Sequence, residues 1–470
     1  MTTAVAMMKL SEAATALHAE LRGSDASFSG VSTDSRNVKA GDLFVALAGE
    51  KFDGHDYLAI AANSGAAAAL VHKPMADSPL PLIVCKDTLA ALGQLATYWR
   101  GKFNLPLVAL TGSNGKTTVK EMLASILRAY CDSDAAVLAT EGNLNNHIGM
   151  PLTLLKLRAT HRFAVIEMGM NHEGEINYLT HLAKPQVALV NNAQRAHLGE
   201  VGGLEAVARA KGEIFSGLVN DGIAIINADD ASEPLWKSIA HKYRQLTFAL
   251  HQPADITAKF QLNATGTPMQ VTTPHGYFST LLMVPGEHNA RNALAACAAA
   301  IALEIPLTAI AKGLSQFSGV KGRLQRKPGI HGADIIDDTY NANPDSLHAA
   351  IAVLSQSAGK KILVLGDMGE LGADGIKLTE QSGAAAHQAG IDTLFTLGEL
   401  SVHAARAFGI GAKKFVDLDE LVATLTPMLD ANTVVLVKGS RFMRMERVVD
   451  AITRPNLSAA VGTLDAKESK

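Results

Sequence analysis

Short apolar runs rich in Val, Ile and Leu alternate with amphipathic stretches along most of this chain. Up to residue 84, an amphipathic segment over 9–21 precedes strand-like DLFVAL and AALVHK, punctuated by glycine. A helical pattern over 89–100 leads into a second block. There PLVAL, FAVIEM, QVALVNN and GIAIIN each end in polar loop residues and give way to an amphipathic stretch. That is the signature of a parallel sheet with crossover helices. Residues 255–284 alternate more strictly and predict an antiparallel edge, and PGEHNARNALAACAAAIAL reads as a loop and a buried, alanine-rich helix. From 315 the α/β rhythm returns in ADIIDD, KILVLGD, TLFTLG and TVVLVKGS. The pattern predicts an α/β chain of three domains, over 1–84, 85–314 and 315–470. They are a small N-terminal α/β unit, a central unit on a mostly parallel sheet, and a C-terminal Rossmann-like α/β unit. The polar tail from about 454 reads as frayed.

Composition narrows the class. At roughly 150 residues per domain, 470 residues also suggest three. A hydrophobic fraction of 48% with 19% charged residues fits a globular chain with a large core. Forty-two basic against 45 acidic residues give a net charge of −3, which argues against a nucleic-acid binder. Cys85, Cys131 and Cys297 have neither metal-ligand spacing nor the even count of a disulfide framework, so a reducing cytoplasm is expected. MTTAVAMMKL lacks the cationic start and long apolar core of an export signal, and no run of 18 apolar residues predicts a membrane span.

The strongest chemical signal is LVALTGSNGKTTVKEMLASIL, residues 107–127. A β-run ends in a glycine-rich loop and a helix begins near Lys116, the context of a phosphate-binding loop. Gly112 and Gly115 let the amides of Ser113, Asn114 and their neighbours turn toward phosphate oxygens, and the helix N-terminus adds partial positive charge. Lys116 would neutralise phosphates, and the Thr117 hydroxyl, next to Thr118, would ligate Mg²⁺. Leu110 stands where the general pattern has its first glycine. Glu167, the only charge in FAVIEM, needs a partner, either a metal or a structural cation. His197, in the loop after QVALVNN, is a metal ligand or a solvated histidine. Lys211 in ARAKGEIF could solvate its helix, pair with Glu213, or contact phosphate.

The third block contributes DIIDDTYNANPDSLHAAI, where Asp337 and Asp338 end a strand and Pro344 opens a helix with Asn343 or Asp345 near its cap. Paired carboxylates at a strand end often face a ligand, whereas Asn341 to Asp345 could be turn and cap chemistry alone. VKGSRFMRME sets Gly439, Ser440 and Arg441 before a helix, as an anion cradle or a solvated turn. In the first block, Ser35 and Arg36 could hold a phosphate. The third block has no GxGxxG, so a dinucleotide cofactor has no support.

Taken together, TGSNGKTT, NNHIGMPLTLL, EMGMNHEGEI, NNAQRAHLGEVGG, GEHNARNALAA, GRLQ, DDTYNANPDS and VLGDMGELG resemble, in family order, the motifs of the Mur ligase superfamily. The resemblance runs from DSR at 34 to KGSR at 438. It implies ATP-dependent amide formation in peptidoglycan precursor synthesis, by way of an acyl phosphate. DDTYNANPDS, GDMGELG and KGSR are similar to the branch that adds D-alanyl-D-alanine to UDP-MurNAc-tripeptide. The branch that adds diaminopimelate or lysine carries a DNPR-like motif, absent here. The first block counts against a folylpolyglutamate synthase, and no NKxD-type motif supports a GTPase.

The resemblance also implies roles. Gly112 to Thr118 would wrap ATP, with Lys116 on its phosphates. Thr117 and Glu167 would hold one Mg²⁺, and His197 a second, together with Lys211 if it is carbamylated. Asn289, Asn292 and Arg323 would address adenine and ribose. Ser35 and Arg36 would contact the uridine diphosphate. Asp338, Asn341 and Asn343 would stand at the inter-domain site, and Ser440 and Arg441 near the incoming dipeptide. A monomer is expected.

Overall fold

In the second block, Leu107–Thr111 is buried at every position and lies third in a six-stranded sheet. The structure, a computed structural model, describes residues 5–50, 52–194, 203–263 and 266–453. The central sheet runs in the order Val137–Ala139, Phe163–Glu167, Leu107–Thr111, Val187–Val190, Ile223–Asn227, Arg244–Phe248, every pair parallel. Because side chains alternate along a strand, Leu107 and Ala109 face one layer of helices while Val108 and Leu110 face another. Burial on both faces explains the unbroken apolar runs in the sequence. The alanine-rich Glu287–Ala302 forms one covering helix, buried along almost its whole length. Residues 257–282 form not an edge of this sheet but a separate antiparallel sheet of three strands, Thr257–Phe260, Thr267–Thr273 and Gly276–Leu282.

The first block folds on a five-stranded sheet ordered Glu20–Arg22, Leu82–Val84, Ala68–Val71, Asp42–Val45, Gly30–Ser32, antiparallel only in its first pair. Helix Thr88–Arg100, capped by the Asp87 side chain, links it to the central sheet. One apolar cluster runs without a break from Met7 through Leu92 and Trp99 to Trp236. Arg158 reinforces the junction by donating to Leu155 O, Leu157 O and, across the boundary, Ser29 O at 2.6 Å.

The C-terminal sheet is ordered Gln325–Pro328, Asp334–Asp338, Thr433–Lys438, Lys360–Gly366, Thr393–Leu397, Ala412–Phe415, with only the first pair antiparallel. The last strand in sequence therefore lies between two earlier ones. Such a reversal of strand order opens a crevice at the carboxyl ends, here the ends at Asp338, Lys438 and Gly366. The two apolar clusters of this sheet contain no residue before Leu324 among the described residues. Also among the described residues, no helix is long and apolar enough to cross a membrane.

Candidate active site

The carboxyl ends of the central and C-terminal sheets face each other across a cleft of about 490 Å³. On the central side, Thr111 leads into the loop 112–115 and helix Lys116–Cys131. Gly115 caps that helix with φ +80°, a left-handed conformation that suits glycine. A Cβ at that position would lie 2.4 Å from Asn292 Oδ1 and 2.7 Å from Asn191 Nδ2.

The loop is held by amides from neighbouring strand ends. Asn191 Nδ2 donates to Asn114 O (2.9 Å) and Asn292 Oδ1 (3.0 Å). Asn192 accepts from Asn114 N at 2.9 Å, and Gln194 N donates to Ser113 Oγ at 2.9 Å. Asn289 Nδ2 donates to Pro285 O at 2.8 Å, beside Asn292 on the alanine-rich helix. The Thr118 side chain is buried at the same helix start.

Lys116 Nζ curls over the loop and donates to Gly112 O at 2.6 Å. Burial pushes its pKa below the ordinary lysine value; Arg323 adds to the fall, and Glu167 and Glu370 oppose it. Thr117 Oγ1 donates to Glu167 Oε2 at 2.9 Å, while Asn145 Nδ2 donates to Glu167 Oε1 at 2.7 Å. Two hard oxygen donors therefore converge beside the loop. Magnesium is commonly held by one or two carboxylates together with substrate phosphates, and this pair fits it. No cluster of three or more metal-binding side chains occurs among the described residues.

Lys211 is 1% exposed, so it does not solvate its helix. It does not pair with Glu213 either, whose carboxylate accepts from Gly174 N and Asn177 N. Among the described residues no carboxylate lies within ion-pair distance of Lys211. Burial pushes its pKa well below the ordinary lysine value, and the nearby Lys116 cation lowers it further. His197 lies outside the described residues.

Two contacts carry the C-terminal sheet onto the loop. Arg323 Nη2 donates to Thr117 Oγ1 at 2.9 Å, its guanidinium stacked 4.2 Å from the Tyr340 ring centre. The structure thus brings Arg323 to the threonine beside Glu167. Asn343 caps helix Pro344–Ser355 through Ser346 N and donates to Asn114 Oδ1 at 2.9 Å. Adjacent strand residues point to opposite faces: Asp337 pairs with Lys327 (2.7 Å), away from the cleft, while Asp338 lines it. Asp338 pairs with the buried Lys438; burial raises its pKa, and Lys438 opposes the rise. Asn341 lines the cleft beside them.

Other expected residues stand elsewhere. Ser440 is buried and accepts from Gly369 N while donating to Ala342 O, tying two cleft loops together from behind. The Arg441 side chain is 64% exposed and turns to Glu446. Arg36 is 86% exposed and pairs with Asp34 in its own turn, with Ser35 alongside and outside the cleft. Sequence reasoning passed over Asn145, Asn191, Asn192, Tyr340 and Lys438. Lys438, a lone cation ending an apolar strand, carries the same signal that singled out Glu167.

Comparison with known proteins places this geometry. The description "Mur ligase family, catalytic domain" matches residues 27–100, "Mur ligase middle domain" 110–300, and "Mur ligase, glutamate ligase domain" 322–441. UDP-N-acetylmuramoyl-tripeptide–D-alanyl-D-alanine ligase of Escherichia coli K12 is 43% identical over 94% of this chain and 98% of its own. A crystal structure of MurF from Acinetobacter baumannii superposes with a TM-score of 0.89 at 36% identity, covering 95% and 99% of the two chains. MurF ligase from Thermotoga maritima, in complex with ADP, gives 0.79 at 27% identity, covering 90% and 96%.

Proposed function

Since this chain belongs to the Mur ligase family, we propose that its cleft is where a carboxylate activated by ATP meets an incoming amine. The protein is an ATP-dependent ligase of peptidoglycan precursor synthesis, joining D-alanyl-D-alanine to UDP-MurNAc-tripeptide. The observation that carries the site reading is the phosphate loop, with Thr117 on Glu167, facing Asp338 and Asn343 across one cleft. In this reading residues 1–84 hold the nucleotide sugar, with Ser35 and Arg36 toward its diphosphate. Residues 85–314 hold ATP, and 315–470 the dipeptide.

A terminal carboxylate oxygen of the tripeptide attacks the γ-phosphorus of ATP as the bond to the β-phosphate oxygen breaks, giving an acyl phosphate and ADP. Lys116, Arg323 and the amides of 115–118 offset the repulsion between these anions, whereas the amides of Ser113 and Asn114, expected to turn toward phosphate, are taken by Asn192. Thr117 and Glu167 would hold one Mg²⁺, and His197 a second, together with Lys211 if it is carbamylated; bound there, the ions would supply further charge stabilisation. Asn289 and Asn292 flank the nucleotide, and Arg323 serves its phosphate end. The amine of D-alanyl-D-alanine then attacks the acyl carbon, the carbon–oxygen bond to phosphate breaks, and the amine gives up a proton. Asn341 and Asn343 border the path of that amine, with Ser440 and Arg441 behind it.

Incubation with ATP, Mg²⁺, UDP-MurNAc-tripeptide and either D-alanyl-D-alanine or single amino acids tests this reading. A pentapeptide product by mass, formed only with the dipeptide, is expected. ATP turnover without either substrate would point to a switch ATPase instead.

Lys211 carries a separate expectation. Burial that lowers the pKa of Lys211 favours its neutral amine, the form that attacks CO₂, loses one proton and becomes a carboxylate-like ligand. In ¹³C-bicarbonate the native enzyme should show a carbamate carbon resonance that Lys211→Ala lacks. An unmodified Lys211 in the Mg²⁺-loaded, active enzyme would exclude the carbamate.

A further inference from the structure

Lys438 is the last residue of the strand that lies between two earlier strands, and it is 2% exposed. Its register partner on the neighbouring parallel strand is Asp338, so both side chains share the face that opens on the cleft. Lys438 Nζ donates to Asp338 Oδ2 and also, at 3.0 Å, to the backbone carbonyl of Asn341. Asp338 Oδ1 in turn accepts from Leu324 N at 3.2 Å. One ammonium group thereby joins the strand 433–438, the loop 339–343 and the entry segment 323–324.

Both tethered segments reach the phosphate loop. Leu324 follows Arg323, whose guanidinium bonds Thr117 and stacks on Tyr340; Tyr340 N is bonded to Gly322 O. The loop held through Asn341 O ends in Asn343, whose amide bonds Asn114. These are polar contacts between bodies that share no apolar cluster among the described residues. Their alignment therefore depends on how firmly each segment is held from its own side.

We infer that Lys438 is a positioning residue for the ligase reaction: through Asp338 and the Asn341 carbonyl it holds Arg323 and Asn343 in register with the phosphate loop. The inference rests on the ligase reading and adds to it a residue that acts through others. Its consequence is a division of effects. The loop 112–118 and its asparagine braces lie wholly on the central side, so losing Lys438 should leave ADP binding nearly intact, the Arg323 contact being lost at the terminal phosphate of ATP. Turnover should collapse, because groups displaced by about 1 Å can lower a rate ~100-fold.

The test compares wild type, Lys438→Met, Lys438→Arg, Asp338→Asn and the double variant Lys438→Met/Asp338→Asn, reading kcat, KM for ATP and for the dipeptide, ADP affinity and melting temperature. Pentapeptide formation by the wild type checks the ligase reading independently, so its failure is distinguishable from that of the Lys438 proposal. Lys438→Met leaves a carboxylate buried without its cation and is expected to melt lower. The double variant removes that lone charge and recovers the melting temperature. Its kcat is expected to stay ~100-fold below that of Asp338→Asn alone, which keeps the Lys438 bond to the Asn341 carbonyl, with ADP affinity within ~3-fold of wild type. Lys438→Arg keeps a cationic donor and should recover part of the lost kcat. If the double variant turns over as fast as Asp338→Asn alone and regains its melting temperature, Lys438 is a structural counter-charge only and the proposal falls. It also falls if ADP affinity drops in step with kcat.

Discussion

Replacing Lys116 with alanine is expected to lower kcat/KM by at least ~10³-fold, the scale of losing a main stabiliser of developing phosphoryl charge. The fold should survive, because the lysine is not a stabilising ion. Its ammonium lies half-buried over the loop, bonded to Gly112 O, and desolvation there holds its pKa below the ordinary lysine value. Between the folded pKa and that ordinary value, the unfolded chain binds more protons than the folded one. Stability from this group is therefore gained as pH rises through that window and is withheld below it. Lys116→Ala should accordingly melt at or slightly above the wild type near neutral pH, while losing activity. Phosphates arriving beside Lys116 favour its charged form, so ADP binding should take up a proton once pH exceeds the pKa of the free enzyme, and affinity should fall as pH rises further. Calorimetry in two buffers of different ionisation enthalpy measures that uptake. Retained turnover in Lys116→Ala would undo the phosphate-loop assignment.

Gly115→Ala should be nearly as damaging by a different physical route. A left-handed conformation costs a residue with a side chain about 1–2 kcal/mol, which the fold can absorb. The larger effect is steric: the new methyl would sit 2.4 Å from Asn292 Oδ1 and 2.7 Å from Asn191 Nδ2, both held in the brace behind the loop. Relief requires moving the loop or the brace, and displacement on that scale implies at least a ~100-fold loss of kcat/KM. Gly390 provides the control, since it has φ +73° with nothing within 4 Å of a built Cβ. Gly390→Ala should carry the backbone strain in its melting temperature and leave turnover unchanged. Equal activity in Gly115→Ala and wild type would mean that the brace yields freely.

Much of this was legible in the sequence, and the boundary between what was and was not is physical. Strands buried on both faces declare themselves as apolar runs, so FAVIEM, QVALVNN, KILVLGD and TVVLVKGS lie where strands occur. The same contrast exposes Glu167 as a charge that needs company, which Thr117 and Asn145 supply. Alternation in 255–284 revealed antiparallel pairing but not that the three strands would form their own sheet, because pairing partners are not encoded in periodicity. Loop cations were the hardest to read. Arg323 and Arg441 look alike in sequence, yet one stacks on Tyr340 and the other turns to a neighbouring glutamate. The asparagine brace escaped notice because each member is an ordinary polar residue after a strand and only the fold assembles them. Lys438 was visible as a lone charge closing an apolar strand but was overshadowed by the Gly-Ser-Arg after it.

The apolar cluster that runs unbroken from Met7 to Trp236 has a consequence for substrate choice. It packs the N-terminal and central sheets on one continuous core, and so sets the span from the proposed nucleotide-sugar surface to the loop 112–115 in this structure. On the proposed division of labour, the peptide stem is measured against that span. Each extended residue adds about 3.3–3.6 Å, and a stem one residue short would hold its carboxylate that far from the γ-phosphate. Chain length is then read by distance alone, before any side chain is recognised.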